Sequence, residues 1–237
     1  MSTQAQLKNR GIMLIVSFFI VLAIIFLPIF PKNSQIGNEK INGLNYMDNF
    51  FNALSKGSAN YIEEQRQRAE AFKNQPVNAL LKMRSAQDAE LVGQLFATRG
   101  ITTAVNDSEL TISANDFGRM ISFILDDAEA IYENNGHILQ TKYGIKELRV
   151  LYFWYLALNA LEKDLTQNSK FSEARFVKGI LSKAIEPAYN FYGIKSKSVR
   201  DEIALLICAL AFYVIYTMWY GFGLLYLFEG MGIKLEH

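Results

Sequence analysis

Two long apolar segments lie at opposite ends of the chain, Gly11 to Phe30 and Ile203 to Phe228, and neither contains Lys, Arg, Asp or Glu. A helix that rises about 1.5 Å per residue needs about 20 apolar residues to cross about 30 Å of hydrocarbon. Because no water reaches backbone groups there, a helix that satisfies them internally is expected. The two segments therefore predict two transmembrane helices. Residues 1–10 and 229–237 are the tails, and the final Leu-Glu-His is typical of a cloning-vector remnant.

The segment between them, residues 31–202, has mostly helical spacing. Apolar residues recur at intervals of three and four, which is the period of an amphipathic helix. The length suits one domain with its own core and is short for two. We therefore predict one extramembrane domain of about five helices. The expected helices are Leu44 to Phe72 with a break at Gly57, Val77 to Thr98 with Pro76 in its first turn, Phe117 to Asn134 capped by Asn115 or Ser113, Ile145 to Leu165, and Ser172 to Tyr189 with an interruption near Pro187.

The stretch from Ile101 to Ser113 has a different pattern. β-Branched residues lie on both sides of the turn Asn106-Asp107-Ser108, which predicts a small β-hairpin. A two-stranded hairpin is marginally stable alone and must pack against helices. The predicted fold class is therefore mainly α, with two transmembrane helices flanking one helical domain that carries the hairpin.

Aromatic residues are numerous in the predicted domain. Val150 to Leu158 is an uninterrupted apolar block that is too short to cross a bilayer, so we predict that it forms the buried central helix. Other aromatic residues exceed what one small core must use, and exposed ones would serve as interface anchors. These candidates are Phe50, Phe51, Phe72, Phe171, Phe176, Tyr189, Phe191 and Tyr192.

Polar side chains lie on one side of the second apolar segment. They are Tyr213, Tyr216, Thr217 and Tyr220. Because an unpaired hydroxyl is costly in hydrocarbon and a single neighbouring helix offers few partners, we predict oligomer or pore contacts here. Alternatively, the segment is long enough to slide and place Trp219 and Tyr220 at the membrane interface. Gly221 and Gly223 lack the small-xxx-small spacing of close helix packing, so they indicate at most a flexible or locally thinned helix.

Charge and residue usage argue against several function classes. The chain has 24 Lys and Arg against 23 Asp and Glu, and residues 31–202 are evenly balanced, so no basic field favours nucleic acid. Cys208 is the single cysteine, which excludes an intrachain disulfide. His137, placed in a turn after Gly136, has no second histidine or cysteine beside it for zinc or haem. Without a catalytic or phosphate-binding motif either, we expect no enzymatic activity and no cofactor.

The densest acidic patch comprises Asp126, Asp127, Glu129 and Glu133. Three of them, Asp126, Glu129 and Glu133, share one helix face, and carboxylate oxygens suit a hard cation such as calcium. No Asp-x-Asp-x-Asp-Gly loop accompanies them, and an acidic run on an amphipathic helix is usually its solvated side. We assign no metal site, and cation binding by these three residues stays a hypothesis.

The charged residues that flank the first apolar segment predict the orientation of the chain in the membrane. Lys8 and Arg10 precede the first apolar segment without any acidic residue, which favours a cytoplasmic N-terminus. Basic residues also lie on the domain side, at Lys32 and Lys40 among others, but long loops translocate largely regardless of charge. The first segment is too long for a cleavable signal peptide. The prediction is an inner or plasma membrane protein with both termini cytoplasmic and the domain outside.

These features favour a non-catalytic integral membrane protein that acts as an oligomeric scaffold or interaction subunit through its helical domain. The expected partners are membrane lipids, further copies of the chain or other membrane proteins, and not nucleic acid. The alternative is a homo-oligomeric channel or transport subunit, in which the second transmembrane helix lines the pathway.

Overall fold

The computed structural model describes residues 3–31 and 40–233. Lys32, most of the connector after the first apolar segment and the Leu-Glu-His end lie outside the described residues. The described part of the chain is mainly helical, with 70% of its residues in helices. In chain order the elements are α1 (Gln4–Phe26), β1 (Phe30–Pro31), β2 (Lys40–Ile41), α2 (Gly43–Ser58), α3 (Ile62–Ala69), β3 (Val77–Lys82), α4 (Ala86–Thr98), β4 (Thr102–Asn106), β5 (Glu109–Ala114), α5 (Phe117–Tyr132), α6 (His137–Tyr143), α7 (Glu147–Gln167), α8 (Phe171–Ile180), α9 (Glu186–Asn190) and α10 (Ile203–Gly230).

The chain divides into two compact units, Met1–Leu54 with Ser196–His237, and Ser55–Lys195. The first unit contains α1 and α10, which run antiparallel. Both helices are long and apolar enough to cross a membrane, and almost none of their most apolar stretches is buried. Helix α1 begins inside the predicted tail because the Thr3 and Gln6 side chains each accept a hydrogen bond from the other's backbone N–H, which caps the helix.

The second unit contains a three-stranded antiparallel sheet in the order β3-β5-β4. Strands β4 and β5 confirm the predicted hairpin, and its turn places Asp107 at a positive φ of 52°. Strand β3 overturns part of a prediction, because residues 77–82 are extended where a helix was expected. Pro76 precedes a strand instead of opening a helix. Val77, Ala79 and Leu81 point into the core, whereas Asn78 and Lys82 are exposed, which is the alternation of a half-buried strand.

Helix α7 is the central helix of this unit, as predicted. Trp154 is fully buried and packs edge-on against Phe96 of α4, with ring centroids 5.0 Å apart. The helix also contacts β3, α5, α6 and α8. Its aromatic residues are not all buried, since Tyr152 and Tyr155 remain 36% and 38% exposed. The core therefore surrounds α7 on all sides but one.

Two predictions about the helix ends are wrong. Asp116 caps α5 by accepting from the Arg119 N–H at 2.9 Å, because Ser113 is paired within β5. Helix α5 ends where Asn134 adopts a positive φ of 61°, so His137 does not lie in a turn but begins α6. The predicted interruption of the last domain helix near Pro187 is confirmed, since this helix is divided into α8, a π-helical turn over Leu181–Ile185, and α9. The interruption precedes Pro187 because that residue cannot donate a hydrogen bond to the preceding turn.

Candidate functional site

The polar residues of α10 do not share one environment. Tyr216 faces α1, where its ring stacks on Phe18 with centroids 4.3 Å apart and its hydroxyl donates to the Phe18 carbonyl at 3.2 Å. The Thr217 hydroxyl donates to the carbonyls of Tyr213 and Val214 within its own helix, both at 2.9 Å. Two of the four hydroxyls are thus satisfied within one copy of the chain.

The other two tyrosines of this set differ from each other. The Tyr220 ring lies 4.9 Å from that of Phe18 and is 40% exposed. Tyr213 points away from α1 and is 66% exposed, among exposed neighbours such as Val214 and Leu210. Within the described part of the chain its hydroxyl makes no hydrogen bond. Tyr213 is therefore the member of the set best placed to contact another molecule.

Glycines form the closest contacts between α1 and α10. A Cβ on Gly11 would lie 2.5 Å from the Leu227 nitrogen, and one on Gly230 would overlap the backbone of Lys8. Gly223 is buried against Ile15. The prediction of at most a flexible or locally thinned helix is too weak for Gly223, because this residue lets two helices approach closely, whereas Gly221 has nothing near it. The seven-residue spacing from Gly223 to Gly230 was the signal that sequence reasoning missed.

The acidic patch of α5 separates into an exposed part and a buried part. Asp126 and Glu129 accept hydrogen bonds from the Arg66 guanidinium at 2.6 and 2.8 Å. That cation already neutralises two of the carboxylates proposed to bind a metal. Across residues 3–31 and 40–233, no three His, Cys, Asp or Glu side chains are grouped to hold a metal ion.

Asp127 belongs to the core and not to the acidic surface. It is 2% exposed, and its carboxylate accepts four hydrogen bonds. The donors are Arg99 at 2.5 Å, Lys142 at 2.9 Å, Tyr143 at 2.5 Å and Trp154 at 2.9 Å. One buried carboxylate therefore joins α5 to α6, α7 and the end of α4.

Burial has the largest effect on the pKa values of Asp127 and Tyr143 in this cluster. It raises the pKa of the Asp127 carboxyl above its usual value, while the hydrogen bond from Tyr143 and the charge of Arg99 oppose the shift. Burial and the adjacent carboxylate also raise the pKa of the Tyr143 hydroxyl. Every polar group of the Asp127 side chain has a partner, so the cluster has the character of a structural network.

Lys56 is a second buried charge that the sequence did not reveal. It is 3% exposed, and its ammonium donates to the carbonyls of Ile194 at 2.7 Å and Phe191 at 3.2 Å. It also donates to the Asn134 side chain at 3.4 Å. Burial lowers the pKa of Lys56, opposed by the negative charge of Glu133. The ammonium ties the first residues of the second unit to its last ones.

The aromatic interface candidates also separate. Phe50 and Phe176 are buried, and Phe72 stacks on Phe176 with centroids 4.5 Å apart. Phe191 and Tyr192 are partly buried against the core. The three that remain exposed are Phe51, Phe171 and Tyr189.

In comparisons with protein-family models, with curated proteins and with solved structures, nothing matched this chain. Functional inference consequently rests on the geometry of its own residues.

Proposed function

We propose that the protein is an integral membrane scaffold that self-associates through the outward face of α10 and presents the Ser55–Lys195 unit as a binding body. Support for the membrane setting comes from α1 and α10, whose apolar side chains are exposed. Such surfaces are unfavourable in water and favourable in lipid. A glycine-lined antiparallel pair is also a common form of packing between membrane helices.

Tyr213 carries the assembly proposal. Its hydroxyl has no acceptor within the described residues. Helix α10, which carries Tyr213, has none of its most apolar stretch buried. A buried hydroxyl without a hydrogen-bond partner costs about 1–3 kcal/mol by protein mutational data. A second copy of α10, related by a two-fold axis, would bring the two Tyr213 side chains together. The channel alternative has less support, because Tyr216 is already bound to α1 in its own copy.

Dilution in lipid tests the proposal. Full-length protein labelled with donor and acceptor fluorophores is reconstituted in vesicles at decreasing protein-to-lipid ratios. Energy transfer should fall as a dimer dissociates, and Tyr213→Phe should weaken association by about 3-fold, from about 0.6 kcal/mol per interhelical hydrogen bond. Tyr216→Phe is the matched control, because its hydroxyl bonds within one copy. A monomer at every dilution, or equal effects of both variants, would contradict self-association. Ion flux through the same vesicles would favour the channel.

For orientation, we propose cytoplasmic termini and an external domain, supported by Lys8 and Arg10 in the first turns of α1. Membrane-impermeant maleimide would report this in intact cells. A cysteine introduced at exposed Phe171 should be labelled from outside, whereas one introduced at Thr3 should not. The reverse labelling pattern would place the domain in the cytoplasm.

A further inference from the structure

A groove with an aromatic lining lies between α7 and α9 in the second unit. Its volume is about 260 Å³, and its lining is mostly apolar. Tyr152 and Tyr155 of α7 contribute two rings, and Tyr189 of α9 contributes a third. Glu186 supplies the one carboxylate of this lining. The groove involves neither α1 nor α10, so a ligand bound in it would give the protein a function beyond that of a scaffold.

Local sequence explains why these three tyrosines line one groove. Tyr152 and Tyr155 are three residues apart, so they lie on the same side of α7. The opposite side of α7 is committed to the core through Trp154. The π-helical turn before α9 ends at Ile185, which also lines the groove. The π turn, which precedes Pro187, adds a residue to the helix and so sets which side chains of α9 line the groove.

Exposure and charge distinguish this groove from an ordinary crevice between helices. The Tyr155 and Tyr189 side chains are 38% and 50% exposed, so two large rings are left available to a ligand, beside a Tyr152 ring that is 36% exposed. No Lys, Arg or His of the described residues lies within ion-pair distance of Glu186. Arg84 already sits over the Tyr152 ring, 5.5 Å from its centroid, and is held there by Asp88. One ring of the group therefore already accepts a cation.

We propose that this groove binds a small quaternary ammonium compound in solution. Aromatic faces attract cations electrostatically, and rings grouped around a carboxylate form the known type of site for such groups. A trimethylammonium group donates no hydrogen bond and is satisfied by rings and a nearby negative charge. The volume lies just below the usual range for ligand pockets, about 300–1,000 Å³, which favours a small ligand.

Choline is the probe. Full-length protein in a maltoside detergent, which carries no choline group, is titrated with choline. The N-methyl signal of choline is followed by ligand-observed NMR. We expect saturable binding, and no binding of 3,3-dimethylbutanol, the uncharged analogue of the same shape. Glu186→Gln and Tyr189→Leu should each weaken binding by about 2- to 30-fold, from about 0.5–2 kcal/mol per cation–π or charge contact.

Controls make the result decisive. Glu90→Gln removes an exposed carboxylate from α4, outside the groove, and should bind choline as the unaltered protein does. Thermal unfolding of each variant must match the unaltered protein, and Tyr189→Phe, which keeps the ring, should retain most of the affinity. Equal binding of choline and its uncharged analogue, or unchanged affinity in Glu186→Gln and Tyr189→Leu, would overturn the proposal. Binding only to phosphatidylcholine vesicles and not to free choline would overturn it in favour of a lipid headgroup.

Discussion

The buried carboxylate of Asp127 gives the sharpest stability prediction. Asp127→Ala would leave Arg99, Lys142 and the Trp154 N–H without their shared acceptor. Removing one member of a buried ion pair costs about 3–5 kcal/mol. Arg99 and Lys142 keep side-chain exposures of 17% and 24%, so they can recover some hydration. We therefore expect a loss near the lower limit, about 3 kcal/mol.

The adjacent residue provides a matched control. Asp126 carries the same charge on the same helix, but its side chain is 48% exposed and pairs with Arg66 at the surface. Asp126→Ala should cost about 0.2–1 kcal/mol, as exposed ion pairs do. Thermal unfolding of the full chain in detergent, followed by near-ultraviolet circular dichroism, separates the two. At about 3–5 °C per kcal/mol for a domain of this size, the melting temperature should fall by about 9–15 °C in Asp127→Ala.

Asp127→Asn tests the role of the charge. The amide keeps an oxygen that can accept from Trp154 but no longer compensates two cations, so its melting temperature should lie between those of the unaltered protein and Asp127→Ala. Equal losses in Asp126→Ala and Asp127→Ala would refute the assignment of Asp127 to the core.

Three other predictions rest on single contacts. Leu14→Cys with Gly223→Cys should form a disulfide on mild oxidation in a background without the native cysteine, because the two Cβ positions are 3.4 Å apart. Thiol alkylation measures the disulfide, and the control pair, Leu14→Cys with Gly221→Cys, should stay reduced. Gly118→Ala should lower the melting temperature by several degrees, since a Cβ there would overlap the Ala69 carbonyl oxygen and lie 3.0 Å from the backbone of residues 72 and 73. An unchanged melting temperature would mean that these contacts are looser. The lowered pKa of Lys56 means that the unfolded chain binds more protons than the folded chain just below pH 10.5, so the free energy of unfolding should rise with pH there. Denaturant titrations below about pH 10, before tyrosines ionise, measure this free energy, and its increase with pH should be smaller in Lys56→Gln. The same increase in both proteins would contradict the shift.

The elements that were predictable from sequence are those with one dominant signal. Long uncharged apolar runs indicated α1 and α10, and the β-branched residues around Asp107 indicated the β4–β5 hairpin. Strand β3 was missed because its signals conflict. Pro76 suits either the first turn of a helix or the start of a strand, and Leu80 and Leu81 are good helix formers. The alternation of Val77, Ala79 and Leu81 was the decisive signal, but it spans only one short strand.

The buried charges were harder to foresee for a different reason. Asp127 follows Met120 and Ile124 at helical spacing and so belongs to the apolar face, yet its acidic neighbours suggested a solvated patch. Only donors that are distant in sequence, at the end of α4 and on α6 and α7, make its burial favourable. The same holds for Lys56, whose acceptors lie more than a hundred residues away at Phe191 and Ile194. Local patterns cannot report such long-range partners.

The pairing of the first helix with the last has a consequence for biosynthesis. In the proposed membrane arrangement, α1 leaves the ribosome while its partner is still unsynthesised, and the intervening chain takes roughly 10–35 s to make at about 5–20 residues per second. During that interval the surface around Gly11 must be covered by lipid, by the insertion machinery or by another nascent copy. Delayed arrival of α10 would therefore favour exchange of this helix between copies, and newly made chains are the population in which swapped pairs would be found.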